Sequence, residues 1–266
     1  KGQLPDSPEM AHVRRTLWNE FSSQSTNLSA SMFIRGSASA ELFSSMERFY
    51  LMLAKAKQSR HGTTYVDDDE RVIKYFEDKK IWSLVLINPD NPTGNYIPYT
   101  DCLRLAEWCQ QRNIIFILDE SFIDFSTEHP TFITNEILEQ YSNLVVIKSI
   151  SKSYGVPGLR LGILATSNAM LMANLRRSVS IWNINSFAEF FLQILGKYER
   201  PYQQAMDDFR SERTRSVREL QTINYLRIVP SEANYLLCEV LPPHTPRELA
   251  IQLLKKYNIL IKDCTS

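Results

Sequence analysis

The sequence lacks the features that mark several common classes of protein. Its 30 basic and 30 acidic side chains cancel, so no net field predicts a nucleic-acid or membrane partner. No apolar run is long enough to span a membrane, and the first residues show no signal-peptide pattern. The four cysteines are too scattered for a disulfide framework or a zinc site. We therefore expect a cytoplasmic protein without a bound metal.

What the sequence does contain is an alternation of apolar strands and helical patterns. This alternation predicts a mainly parallel α/β sheet flanked by helices, followed by a smaller C-terminal α+β unit. No G-x-G-x-x-G motif follows a first strand, which argues against a nicotinamide-binding Rossmann enzyme. The predicted strands of the large unit are Ile81–Ile87, Ile114–Leu118, Leu144–Ile147 and Leu161–Ala165.

Three of these strands end just before a side chain that could take part in chemistry. Asn91 follows the first strand, Asp119 the second and Lys152 the third. Ligands of parallel sheets bind outside the carboxyl ends of the strands. The topology therefore predicts that the three side chains converge at one edge of the sheet.

The segment from Lys148 to Gly162 carries the most specific chemical pattern. It places Lys152 between two serines and Arg160 eight positions later. A lysine amine can form a Schiff base with an aldehyde cofactor, and hydroxyl and guanidinium groups can hold its phosphate. Taken alone, the segment also fits a surface lysine that happens to lie between two serines.

Two neighbouring motifs favour the cofactor interpretation. N-P-D-N-P-T-G begins at Asn88 and D-E-S-F-I-D-F at Asp119, ahead of S-I-S-K-S-Y-G-V-P-G-L-R. In this order the three motifs resemble fold type I, pyridoxal-phosphate (PLP) dependent aminotransferases of class I/II. The resemblance is closest to the group of histidinol-phosphate aminotransferase and threonine-phosphate decarboxylase. It implies pyridoxal 5'-phosphate as the cofactor and a homodimer as the assembly.

The resemblance also implies a role for each motif residue. Lys152 would form the Schiff base and later move protons, while Asp119 would keep the pyridine nitrogen protonated. Asn91 would lie near the ring oxygen. The phosphate ligands would be Ser149, Ser151 and Arg160.

Four further positions match the family pattern outside these motifs. Ser39 and Ala40 match a phosphate-binding turn, although small residues entering a helix are also an ordinary N-cap. Tyr50 is the candidate for the ring that stacks on PLP. Asn234 matches an asparagine near the substrate, and it fits a capped strand start equally well.

The family pattern divides the chain into three parts. Residues 1–30 would form an N-terminal arm and helix of the small domain, and residues 31–200 the large PLP-binding domain. Residues 201–266 would form a small C-terminal domain that is incomplete. A segment is missing near residues 43–50, Leu4 replaces a common tyrosine, and the arginine that grips the substrate carboxylate has no counterpart.

The leading functional hypothesis is a transaminase. It would move an amino group between an amino acid, phosphorylated or phosphonate-bearing ones included, and a 2-oxo acid. The alternative is a PLP-dependent decarboxylase of a phosphorylated amino acid, favoured by Phe122 in place of a usual tyrosine and by the W-N-I-N run at 182–185. A non-catalytic aminotransferase-like effector or fusion-partner domain is the alternative from another class.

The surface and the C-terminal half carry expectations of their own. The acidic run Asp67–Glu70 predicts a solvated turn and the start of a helix. Arg213 is predicted to face solvent on a long helix. Cys102 and Cys109 read as buried thiols. Predicted strands of the small unit are Tyr225–Val229, Asn234–Val240 and Ile259–Lys262.

Overall fold

The structure is a computed structural model that describes residues 69–128, 130–178 and 184–264. Predictions made for the other residues lie outside these ranges. They include the cofactor contacts assigned to Ser39, Ala40 and Tyr50.

Four strands form the principal sheet: β1 (Ser83–Ile87), β2 (Ile115–Asp119), β3 (Leu144–Ser149) and β4 (Gly162–Ala165). They follow the order β1-β2-β3-β4, with parallel pairing up to β3 and an antiparallel return by β4. Ile87 pairs with Asp119, which pairs in turn with Ile147. β1 and β2 therefore end level at one edge, and β3 runs two residues further, to Ser149. The mainly parallel α/β sheet expected from the sequence is confirmed.

Three helices accompany the parallel strands: α1 (Asp69–Phe76), α2 (Tyr99–Gln111) and α3 (Asn135–Gln140). Their apolar residues join the strands in one hydrophobic cluster centred on Phe116, Leu118 and Leu105. Burying a side chain of this size contributes about 1.5–3 kcal/mol. Cys102 and Cys109 lie in the same cluster, as expected, and burial raises the pKa of both thiols.

The acidic start of α1 is solvated only in part, because Glu70 is exposed whereas Asp69 is buried. Asp69 is only 2% exposed, and its carboxylate accepts from Arg104 Nε at 2.7 Å and from Arg104 Nη2 at 2.9 Å. These hydrogen bonds lower the pKa of Asp69. The pair fixes α1 to α2, which explains why one acid of a charged run is buried.

The C-terminal half is helical with a small two-stranded sheet. Its elements are α4 (Ala169–Ser178), α5 (Ser186–Leu195), α6 (Glu199–Leu220), β5 (Leu226–Ile228), β6 (Cys238–Val240) and α7 (Pro246–Tyr257). The strands β5 and β6 pair antiparallel. Within the described ranges, no helix is long and apolar enough to cross a membrane, and no three His, Cys, Asp or Glu side chains group as metal ligands.

The predicted strand at 259–262 is wrong. These residues follow the left-handed C-cap of α7 at Asn258 and have no strand pairing. Leu260 is 80% exposed. An apolar run forms a strand only where a neighbouring edge accepts its backbone hydrogen bonds, and none of the described strands does so.

The expectation that Arg213 faces solvent is also wrong. This residue of α6 is only 9% exposed. Its Nη1 donates to the carbonyl of Phe125 at 2.9 Å and to that of Ala233 at 3.1 Å, while Nη2 donates to Glu232 Oε2 at 2.8 Å. One guanidinium therefore joins α6, the turn after β2 and the turn before β6.

We expect Arg213→Met to lower the free energy of unfolding by about 3–5 kcal/mol, because two carbonyls and Glu232 lose a buried donor. Arg215→Met is a matched control two positions along α6. Arg215 pairs with Glu212 and Glu219 on the exposed face, where ion pairs contribute little. Urea unfolding of both variants measures the difference. Equal losses would contradict the burial argument.

Candidate active site

The carboxylate of Asp119 is fixed at the end of β2. Its Oδ1 accepts from the Ser121 hydroxyl at 2.5 Å and from the Ser121 backbone N–H at 2.9 Å. The same hydroxyl accepts from the Ser149 backbone N–H at 3.0 Å. One serine therefore connects Asp119 to the end of β3. Oδ2 of Asp119 has no donor among the described residues and is available to a ligand.

Lys152 lies in a turn that follows β3. The turn is closed by backbone hydrogen bonds from Gly155 to Lys152 and from Val156 to Ser151, each 3.2 Å long. Ser151 and Ser153 on either side of Lys152 are both buried, while Lys152 itself is exposed. Its amine has no partner among the described residues. The turn thus buries its two serines and leaves the lysine exposed.

Two serine hydroxyls lie together beside this lysine. Ser149 Oγ and Ser151 Oγ are 2.8 Å apart, and the Ser151 backbone N–H donates to Ser149 Oγ at 3.4 Å. Arg160 is in the left-handed region with φ of 56°, two residues before Gly162, which pairs with Ser149. Its Nη1 donates to the Pro157 carbonyl rather than to either serine. The fold brings Arg160 into the same region without joining it to the hydroxyl pair.

The loop after β1 is held by an asparagine that the sequence interpretation passed over. Asn88 is buried, and its side chain accepts from the Ile97 N–H and donates to the Ile97 carbonyl, both at 2.8 Å. Thr93 Oγ1 donates to Asp90 Oδ2 at 2.5 Å within the loop. Asn91 is exposed on this loop.

The turn that carries Asn234 packs against the loop that carries Asn91. The Glu232 N–H donates to the Gly94 carbonyl at 2.7 Å, and the Tyr235 hydroxyl donates to the Asp90 carbonyl at the same distance. Asn234 is exposed between these two contacts. The structure therefore places both asparagines on loops that contact each other.

Several charged groups support this edge although the sequence interpretation did not single them out. Glu120 is 2% exposed and accepts from Thr131 Oγ1 at 2.6 Å and from the Phe132 N–H at 2.7 Å. Burial raises the pKa of this carboxyl. Lys148 Nζ lies 2.6 Å from Asp124 Oδ1. The sequence signal that could have predicted these contacts is the pair of acids, Glu120 and Asp124, that follows the apolar strand β2.

Phe122 occupies the position three residues after Asp119. Its ring is buried and contacts the Tyr235 ring edge to face, with centroids 5.2 Å apart and an interplanar angle of 84°. It belongs to a cluster with Phe125, Met206 and Ala233. Phe122 therefore packs the C-terminal turn onto the end of β2 and offers no hydrogen-bond donor.

The chemistry of these groups fits pyridoxal 5'-phosphate. An unpaired lysine amine can bind an aldehyde carbon, and the available oxygen of Asp119 can accept from a protonated pyridine nitrogen. The hydroxyl pair of Ser149 and Ser151 and the nearby Arg160 guanidinium supply donors suited to a phosphate.

The comparison with protein families agrees with this fold and donor set. The family model for aminotransferases of class I and II matches residues 51–266, and the chain belongs to this family. Pyridoxal 5'-phosphate is the cofactor of the family. One solved structure that resembles this chain, a histidinol-phosphate aminotransferase from Sinorhizobium meliloti, contains that cofactor.

Three curated relatives are similar to this chain. CMP-5'-(3-aminopropyl)phosphonate synthase of Streptomyces rubellomurinus is 35% identical over 68% of this chain and 28% of its own length. L-serine phosphate decarboxylase of Campylobacter jejuni is 32% identical, covering 73% of this chain and 51% of the relative. Threonine-phosphate decarboxylase of Salmonella typhimurium is 34% identical, covering 69% and 49%. The chain spans about half of these relatives' length or less.

Solved structures confirm the fold. A decarboxylase from Sulfurospirillum multivorans has a TM-score of 0.67 and 27% identity, covering 75% of this chain and 51% of its own. The histidinol-phosphate aminotransferase from Clostridium acetobutylicum has the same TM-score and 22% identity, covering 99% and 81%. The architecture is that of fold type I PLP enzymes.

We expect Gly94→Ala to lower the free energy of unfolding by about 2–4 kcal/mol, because Gly94 has φ of 75° and an added Cβ would clash with the Ser231 hydroxyl. Gly196→Ala is the control, since Gly196 has φ of −60° and nothing lies near its missing Cβ. Thermal unfolding compares the two variants. A larger loss in Gly196→Ala would refute the clash.

Proposed function

We propose that this protein is a PLP-dependent decarboxylase that acts on a phosphorylated amino acid. Two of the relatives described above are named decarboxylases of serine phosphate and of threonine-phosphate. A solved structure of 27% identity is also named a decarboxylase. The observation in this chain that carries the proposal is Phe122.

Phe122 removes a hydroxyl that the transaminase arrangement uses. In the resembled family, a tyrosine at this position bonds the ring oxygen of the cofactor. Here the Phe122 ring is packed against Tyr235, whose own hydroxyl is engaged by the Asp90 carbonyl. A ring oxygen without this donor distinguishes the site from a typical transaminase and supports the decarboxylase reading.

Asp119 would act on the pyridine nitrogen. When bound, the cofactor supplies an electron sink for charge that develops at the substrate Cα. The Ser121 hydroxyl and N–H hold Oδ1, so Oδ2 can accept from the protonated ring nitrogen without reorganisation. A carboxylate held in this way keeps the pyridine nitrogen protonated, so that the ring can accept electron density from Cα.

Lys152 would bind the aldehyde carbon of the cofactor and then transfer a proton to the substrate Cα. In decarboxylation, the bond from Cα to the carboxylate breaks, carbon dioxide leaves and Cα gains a proton. The Lys152 amine is the exposed group that can deliver this proton. Ser149, Ser151 and Arg160 would bind the phosphate of the cofactor, Asn91 would lie near its ring oxygen, and Asn234 would contact the substrate.

Transamination is the second candidate function, because the matched family is that of the aminotransferases. In that case Lys152 would be the group that moves the Cα proton, and a 2-oxo acid would accept the amino group. For either reaction we propose residues 31–200 as the large domain and 201–266 as part of the small one. Because the family generally forms homodimers, we propose that assembly here.

Product analysis distinguishes the two reactions. We expect the protein with PLP to release carbon dioxide and an amine from O-phosphoserine or O-phosphothreonine, without consuming a 2-oxo acid. Lys152→Ala should lose this activity by about 10³-fold or more, the scale of a lost proton-transfer group. Lys256→Ala, an exposed lysine of α7, is the control and should match the wild type.

The outcomes of this experiment are separable. A keto acid and pyridoxamine phosphate in place of carbon dioxide would establish the transaminase. A folded wild-type protein that shows no PLP absorbance band removable by borohydride would contradict both enzymes and favour a non-catalytic aminotransferase-like domain.

The Phe122→Tyr variant tests the position that carries the proposal. The added hydroxyl should raise the ratio of transamination to decarboxylation about tenfold, the effect of roughly one hydrogen bond to a charged group. Phe209→Tyr is the control, since Phe209 packs on Phe125 in the same cluster. An unchanged ratio in Phe122→Tyr would show that this residue does not govern the reaction.

A further inference from the structure

A buried polar cluster lies behind the Lys152 turn and involves a residue of α6. Tyr202 stacks on Tyr154 with ring centroids 4.1 Å apart and an interplanar angle of 2°. Tyr154 belongs to the turn, two residues after Lys152. The stack therefore carries the Tyr202 hydroxyl from the C-terminal half of the chain to the back of this turn.

Three polar atoms are buried there without a hydrogen-bond partner among the described residues. They are the Tyr202 hydroxyl, the Ser153 hydroxyl and Oδ2 of Asp124. The Ser153 hydroxyl and the Asp124 carboxylate are within hydrogen-bonding reach of the Tyr202 hydroxyl, although none of these pairs is aligned as a hydrogen bond. Buried polar groups of this kind cost about 1–3 kcal/mol each when unsatisfied.

The three groups have complementary hydrogen-bonding capacity. Burial raises the pKa of Tyr202, so its phenol keeps a proton to donate. Asp124 is held through Oδ1 by Lys148, which leaves Oδ2 as an acceptor. The Ser153 hydroxyl can both donate and accept. The Tyr202 hydroxyl can therefore donate to Oδ2 of Asp124 and accept from the Ser153 hydroxyl.

We infer that the Tyr202 hydroxyl joins Ser153 to Asp124 behind the Lys152 turn, and that Tyr202 is thereby a positioning residue for Lys152. Ser153 directly follows Lys152, and Ser151 on its other side is already fixed by Ser149. Fixing Ser153 as well would restrain the backbone on both sides of the lysine. The inference rests on the role proposed for Lys152 as the lysine that binds the cofactor.

Tyr202→Phe is the direct test, because it removes the hydroxyl and keeps the ring that stacks on Tyr154. We expect amide hydrogen exchange in residues 150–156 of the cofactor-free protein to become about tenfold faster, and PLP to bind about tenfold more weakly. Tyr198→Phe is the control, since Tyr198 is 56% exposed and only four residues earlier. It should leave both quantities unchanged.

Two variants of Ser153 separate positioning from a general loss of stability. Ser153→Ala should reproduce Tyr202→Phe, whereas Ser153→Thr keeps the hydroxyl and should restore slow exchange and tight binding. Exchange that stays unchanged in Tyr202→Phe, or that rises equally throughout the protein, would overturn the inference. If wild-type protein fails to bind PLP, the proposed function fails, and exchange in residues 150–156 still decides the role of Tyr202.

Discussion

The in-register pairing of the three parallel strands is the constraint on which the rest of the site depends. Because Ile87, Asp119 and Ile147 pair in register, the loops that follow them start from one edge. The Ser121 hydroxyl then connects Asp119 with Ser149 across that edge. A shift of register by one residue would turn these side chains to opposite faces of the sheet and separate the groups.

The C-terminal half completes this edge through contacts made by few groups. Arg213 joins α6 to two turns, and the Glu232 N–H joins one of those turns to Gly94. Phe122 fills the space between the end of β2 and Tyr235. The residue on which the proposed decarboxylase function rests therefore also packs the two halves together.

Much of the fold and part of the site could be predicted, because their signals are local. Continuous apolar runs gave the parallel strands, and the residue types around Lys152 indicated the cofactor chemistry. The burial of Asp69 and Arg213 could not be predicted, because it depends on partners 35 and 19 residues away. The failed strand at 259–262 has the same cause, since an apolar run does not reveal whether a neighbouring edge exists.

The sequence by itself determined the mainly parallel α/β class and the family, and it predicted the residues proposed to bind PLP, because each depends on residue type and short spacing. The tertiary structure alone decided that Ser121 connects Asp119 to Ser149 and that Tyr202 reaches the back of the Lys152 turn. It also decided that the Asn234 turn contacts the Asn91 loop. These contacts join residues that are distant in the chain, and only the packing of helices and loops around the sheet determines which of them meet.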